Sequence, residues 1–223
     1  MIVEERLTTY IDSLNWQIPA GLKEVEKEAL ADGVPIIRRS MQSLLGFLLR
    51  TRKPDAVLEI GTAVGFSAML MRENLKPDAV LDTIEKVPMR IQAAKQNFEK
   101  YNKSASIRLL EGDAKDVLEQ LVKEQKQYDF IFMDAAKGQY IHFLDDVLRL
   151  LAPEGVLVSD NVLQDGDVAR SRYAIERRDR TIHKRMRDYL YTIKNHPQLE
   201  TTILPVGDGV AISIKMGESN ERR

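Results

Sequence analysis

The sequence predicts an α/β fold: a mostly parallel seven-stranded sheet covered by helices and ending in an antiparallel hairpin. Three observations carry this expectation. Between residues 56 and 159, five short apolar runs alternate with segments of helical periodicity, as parallel strands buried on both faces require. Residues 1–53 read instead as helices. The last two apolar runs are separated only by Pro205-Val206-Gly207-Asp208-Gly209, which is too short for a parallel crossover, so they pair as a hairpin.

The elements follow in order. Leu7, Ile11 and Leu14 recur at helical spacing, as do Met41, Leu44, Leu45 and Leu48. Pro35 is placed to open the second of these helices as an early residue. Strands are expected at 56–60, 80–84, 107–110, 130–133 and 156–159, and helices at 66–72, 89–101, 114–122 and 140–151. Ile182, Met186, Leu190 and Ile193 form one more helical stripe before hairpin strands at 201–204 and 210–214. No repeat or flexible linker interrupts this pattern. The expectation is one domain over 1–223: N-terminal helices (1–53), a core (54–215) and a short polar tail (216–223) that is disordered.

Composition excludes several function classes. The net charge of −1 provides no global field to recruit nucleic acid, so any such binding needs a local basic patch. The absence of cysteine rules out disulfides and thiolate chemistry, which suits a reducing compartment. Residues 1–6 carry acids where a secretion signal carries basic residues, and no apolar run approaches the roughly 20 residues of a membrane span. The chain is expected in the cytoplasm, with no membrane partner.

In open parallel sheets, ligands sit beyond the carboxyl ends of the strands. The first strand leads into Glu59-Ile60-Gly61-Thr62-Ala63-Val64-Gly65, where Gly61 and Gly65 permit a tight turn and close approach to a ligand. The pattern E-x-G-x-x-x-G differs from the G-x-G-x-x-G of dinucleotide sites, and it suits a ligand without pyrophosphate, such as S-adenosylmethionine. Glu85 ends the second strand, where an acid hydrogen-bonds ribose hydroxyls. Asp113 follows the third strand and can receive an adenine amino group, and Ser67 in the next helix's first turn can bond the methionine end. The plainer alternative is that the glycines only make a turn and that Glu85 and Asp113 cap helices.

The fourth strand runs into Asp134-Ala135-Ala136-Lys137 and the fifth into Asp160-Asn161. Asp134, Asp160 and Asn161 are hard oxygen ligands on adjacent strand ends, a set that favours Mg2+, Mn2+ or Ca2+ over Zn2+. Lys137 is close enough to face the same pocket as a base. Alternatively, Asp160-Asn161 merely turns the chain and Lys137 is a solvated surface lysine.

Residues 59–67, Asp134-Ala135-Ala136-Lys137 and Asp160-Asn161-Val162-Leu163 resemble the cation-dependent O-methyltransferases, which include catechol and caffeoyl-CoA O-methyltransferases. The resemblance runs from about Val34 to Ile214. It implies a class I (Rossmann-like) methyltransferase fold. It also implies S-adenosylmethionine contacts at Ile37, Ser67, Glu85, Asp113, Ala114 and Asp134, a cation on Asp134, Asp160 and Asn161, and Lys137 as the base. Relatives are often dimers, so a homodimer is expected, with the N-terminal helices as the available surface.

Within that family, Val34-Pro35-Ile36-Ile37, the run from Asp134 to Tyr140, and Pro205-Val206-Gly207-Asp208-Gly209 resemble the bacterial tRNA 5-hydroxyuridine methyltransferases, which make 5-methoxyuridine. A tRNA partner needs basic surface. Arg177, Arg178, Arg180 and Lys184 crowd one stretch, and Arg38 and Arg39 lie near the N-terminal helices. The alternatives are a small catechol-type acceptor and a cofactor-binding protein without catalysis. Aromatic residues make up only 6% of the chain, which limits base stacking.

Overall fold

This computed structural model describes residues 4–14 and 17–217, so the expected tail beyond Gly217 lies outside the described residues. The chain divides into two compact units, Glu5–Val117 and a second that begins at Leu118.

The first unit begins with α1 (Glu5–Leu14), α2 (Ala20–Ala31) and α3 (Arg39–Arg52). The sequence reading did not delimit α2, whose apolar residues are spread among lysines and glutamates. It buries Leu22, Val25 and Ala29, a spacing of three and then four. Pro35 does not open α3. Residues 34–38 form no regular element, Arg38 is extended, and the helix begins at Arg39, as steric restriction before and at proline allows. Met41, Leu45 and Leu49 of α3 are fully buried, with Leu44 and Leu48 at the margin. Then come β1 (Ala56–Ile60), α4 (Phe66–Arg72), β2 (Val80–Glu85), α5 (Pro88–Lys100) and β3 (Arg108–Glu111), followed by α6 (Ala114–Lys123). β1 pairs with β2 and β2 with β3, all in parallel, with Ile60 beside Ile84 and Glu85 beside Glu111. This register brings the three carboxyl ends level.

The second unit holds β4 (Tyr128–Met133), α7 (Tyr140–Leu150) and β5 (Leu151–Ser159), then two 3-10 turns (Gln164–Ala169 and Arg172–Ala174), α8 (Arg180–Asn195), β6 (Leu199–Leu204) and β7 (Val210–Lys215). β4 and β5 are parallel, while β5–β7 and β7–β6 are antiparallel, so the expected hairpin is present. β5 starts five residues before the expected Val156. Its register with β4 shifts between Tyr128 and Phe130, leaving Ala152-Pro153-Glu154-Gly155 as an irregular segment before the regular ladder begins at Val156. The buried side of α8 is His183, Met186, Tyr189 and Ile193. Ile182, expected inside, is 38% exposed.

The strands follow the order β3-β2-β1-β4-β5-β7-β6, a seven-stranded and mostly parallel sheet. Fully buried Leu58, Ile60, Phe130, Phe132, Leu157 and Val158 form its core, and apolar burial on this scale is the main stabilising contribution. Among the described residues, no helix is long and apolar enough to cross a membrane.

Candidate active site

In the first unit, the loop after β1 is held by the end of β2. Gly61 N and Thr62 N both donate to Ile84 O, at 3.1 and 3.0 Å, and Gly65 N donates to Thr62 O at 2.8 Å. Gly61 and Gly65 have φ of 110° and 88°, a region that favours glycine. A Cβ on Gly65 would stand 2.5 Å from the Phe98 ring, so no larger residue fits. Ala63 takes a left-handed φ of 46°, and its N–H donates to Glu85 Oε2 at 2.9 Å. Glu85 Oε1 accepts from Lys86 N and Val87 N, each at 2.9 Å. Glu85 thus ties the glycine loop by one backbone bond and its own turn into α5 by two, a link to the loop that sequence reasoning had not foreseen. Glu59 is fully buried and accepts from Thr83 Oγ1. Thr83 in turn shares a 2.5 Å hydrogen bond with Thr62 Oγ1.

Asp113 precedes α6, where its Oδ1 accepts from Lys115 N at 3.0 Å and Lys86 Nζ donates to its Oδ2 at 3.0 Å. The Lys115 N–H, then the Lys86 hydrogen bond, hold this carboxyl below its ordinary value. The capping alternative therefore describes Asp113 correctly in this structure, and it leaves open a ligand role as well. Ala114 is the first residue of α6, and Ser67 lies, buried, in the first turn of α4. Ile37 is buried, and its carbonyl accepts from Gln42 Nε2 at 2.9 Å.

In the second unit, Asp134 follows β4 and Asp160-Asn161 follows β5. Parallel pairing sets Met133 beside Ser159, so the three candidate ligands leave neighbouring strand ends. Asp160 N donates to Met133 O at 3.0 Å. Asn161 Nδ2 donates to Asp134 Oδ1 at 2.9 Å, and Asn161 N to Asp160 Oδ1 at 2.7 Å. Asn161 adopts φ 59°, a left-handed conformation that asparagine tolerates better than most residues.

Burial pushes the Asp134 carboxyl above its ordinary value, partly offset by the Asn161 hydrogen bond and the Lys137 charge. Two carboxylates and an amide are the donor types a hard divalent cation takes, although among the described residues no three His, Cys, Asp or Glu gather into such a cluster. Turning the Asn161 amide over presents Oδ1 in place of Nδ2, at the cost of one hydrogen bond.

Two tyrosines brace the strand ends. The Tyr140 hydroxyl donates to Asp160 O at 2.9 Å and lies 3.2 Å from Met133 O. Burial, then the charges of Asp134 and Asp160, push this phenol well above its ordinary value, which keeps it protonated as a donor. Tyr189 from α8 packs edge-on against Tyr140, with centroids 5.5 Å apart, and its hydroxyl is 2.5 Å from Ser159 Oγ.

Lys137 Nζ is paired with Asp208 Oδ2 at 2.9 Å, the lysine 37% exposed and the aspartate 4%. Sequence reasoning missed Asp208 as a site residue. The one available signal was an acid inside the glycine-rich turn 205–209.

The expected RNA-contacting residues are only partly available. Arg178 pairs with Glu176 and Asp179, Lys184 with Asp188, and Arg39 with Glu26. Arg180 Nε donates to Ile175 O at 3.1 Å. Arg177 is exposed, and Arg38 is the extended residue before α3. Tyr173, which the sequence reading did not single out, is 88% exposed.

A family model described as O-methyltransferase matches residues 17–216. A catechol O-methyltransferase of Niastella koreensis is 33% identical over 74% of this chain and 76% of its own length. The O-methyltransferase ankF of Aspergillus thermomutatus is 31% identical over 74% and 73%. Among solved structures, a Staphylococcus aureus protein provisionally assigned as a caffeoyl-CoA O-methyltransferase superposes with a TM-score of 0.87 at 33% identity, over 95% of this chain and 100% of that one. The S-adenosylhomocysteine-bound methyltransferase PaMTH1 of Podospora anserina superposes with a TM-score of 0.85 at 26% identity, over 96% and 95%. The chain belongs to the O-methyltransferase family, and it is an enzyme built on the class I, Rossmann-like methyltransferase fold.

Proposed function

We propose that this enzyme transfers the methyl group of S-adenosylmethionine to a hydroxyl oxygen, with a divalent cation, Mg2+ or a close substitute, held by Asp134, Asp160 and Asn161. The observation that carries the reading is the meeting of two carboxylates and an amide at the ends of β4 and β5, one carboxyl being pushed up by burial. A cation bound there would acidify the acceptor hydroxyl. Lys137 Nζ, after releasing a proton to solvent, takes the hydroxyl proton. Tyr140 holds the two strand ends in place, and the glycine loop fastened by Glu85 provides the surface for the methyl donor.

The acceptor we propose is 5-hydroxyuridine of tRNA, modified in the cytoplasm. Its 5-hydroxyl and 4-carbonyl are neighbouring oxygens, as the two oxygens of a catechol are. Residues 164–188 carry eight Lys and Arg against five Asp and Glu, and exposed Tyr173 lies next to Arg172. An aromatic face among cations suits an unstacked base. A small catechol is the second reading, favoured by the 33% identity with a catechol O-methyltransferase.

The test is nucleoside mass spectrometry after incubating the enzyme, labelled S-adenosylmethionine and Mg2+ with tRNA containing 5-hydroxyuridine. Label in 5-methoxyuridine supports the tRNA reading. Label only in a catechol supplied in parallel selects the second.

A further inference from the structure

The turn between β6 and β7 is bound closely to the chain that follows Asn161. Val162 N donates to Gly209 O at 2.9 Å and Leu163 N to Asp208 O at 3.0 Å. Gly209 has φ 85°, and a Cβ there would lie 2.2 Å from Leu163 Cγ, so the approach requires glycine. This contact brings the Asp208 carboxylate inward, where it is 4% exposed. Its two oxygens have different partners. Oδ2 accepts from Lys137 Nζ at 2.9 Å. Oδ1 accepts from the backbone N–H of Asp165. That N–H sits in an unusual stretch: Gln164, Asp165 and Gly166 have φ of 51°, 52° and 94°. Such angles are uncommon outside glycine, asparagine and aspartate, so that of Gln164 above all is stabilised by the bonds around it.

We propose that Asp208 is a positioning residue that sets Lys137 and the left-handed turn 164–166 together, one carboxylate oxygen to each. The proposal rests on the reading of Lys137 as the base. Lys137 is 37% exposed and carries a long flexible stem, so without an anchor its Nζ samples many positions. The Asp165 bond ties that anchor to the segment leading toward Tyr173. A shift of the segment on substrate binding therefore reaches Lys137 through a single side chain.

Two variants separate the two bonds. Asp208→Asn keeps a neutral oxygen for Asp165 N and removes the charge that holds Lys137. Asp208→Ala removes both. The expected result for Asp208→Asn is a kcat about tenfold or more below wild type with KM nearly unchanged, and an Asp165 amide that stays protected from hydrogen exchange. Asp208→Ala is expected to lose that protection as well. Lys137→Met and the double variant Asp208→Asn/Lys137→Met are expected to have equal kcat, because the aspartate acts through the lysine. A thermal midpoint of Asp208→Asn close to wild type separates these effects from misfolding.

Losses that add in the double variant, or Asp165 protection unchanged in Asp208→Ala, overturn the proposal. If the wild-type enzyme methylates neither tRNA nor a catechol, the functional reading has failed. In that case hydrogen exchange at Asp165 and the lysine ammonium NMR signal of Lys137, expected in wild type and absent in Asp208→Asn, still decide whether Asp208 holds both groups.

Discussion

Asp134 and Asn161 face each other across two strand ends, 2.9 Å apart. Tyr140 spans the same strands from behind, and Tyr189 and Ser159 support it. Asp160→Ala removes a candidate ligand without disturbing the Tyr140 bond, which uses the Asp160 carbonyl. It is expected to reduce Mg2+-dependent methyl transfer by about 100-fold or more, measured as label transferred, with an unchanged circular dichroism spectrum. Asp113 gives a pH prediction. Its folded carboxyl titrates below its ordinary value of 3.8, so the folded chain binds fewer protons there than the unfolded chain. Its contribution to stability is complete above that ordinary value and fades as pH falls through the lower folded one. Urea unfolding of wild type and Asp113→Asn should therefore show a stability difference that shrinks from about pH 5 to about pH 2. Among residues, the acids at strand ends were legible because sheet topology assigns ligand sites to strand ends. The Lys137–Asp208 pair was not: its partners lie 71 residues apart, and only the register of the final hairpin brings them together.

Among elements, β1 and α4 match their expected limits because a glycine turn separates a short run, apolar but for Glu59, from a helical one. α2 was hidden by its density of charge, and the start of β5 by Pro153 and Gly155, which read as breakers. The stretch 164–188 was legible as basic, but not as partly self-neutralised by Asp167, Glu176, Asp179 and Asp188. This sharpens the choice of test residues to exposed Tyr173 and Arg177. Tyr173→Ala combined with Arg177→Glu is expected to raise KM for tRNA by about tenfold while leaving catechol kinetics unchanged. Equal losses on both acceptors would place the effect in the fold or the pocket. α1 raises a second question at this scale. Leu7, Ile11 and Leu14 recur at helical spacing as expected, yet with Tyr10 they are 44 to 67% exposed and the helix buries no residue. An apolar side of this kind is the surface on which the proposed homodimer is to be tested. Ile11→Glu with Leu14→Glu is expected to halve the mass seen by light scattering, and a wild type that already runs as a monomer would refute the dimer.

For the whole molecule, fold and family were both within reach of the sequence. The alternation of strands and helices specifies the parallel sheet, and the motifs at residues 59–67, 134–137 and 160–163 specify the family. The acceptor was not, because it depends on exposed side chains that no periodicity constrains. Whether Asp134, Asp160 and Asn161 hold a cation needed for methyl transfer is decided by label transfer from S-adenosylmethionine to 5-hydroxyuridine tRNA and to a catechol, with Mg2+, with excess chelator, and with Mg2+ restored. Transfer to at least one acceptor is expected to stop with chelator and return with Mg2+; transfer that continues undiminished in chelator would rule out the cation role.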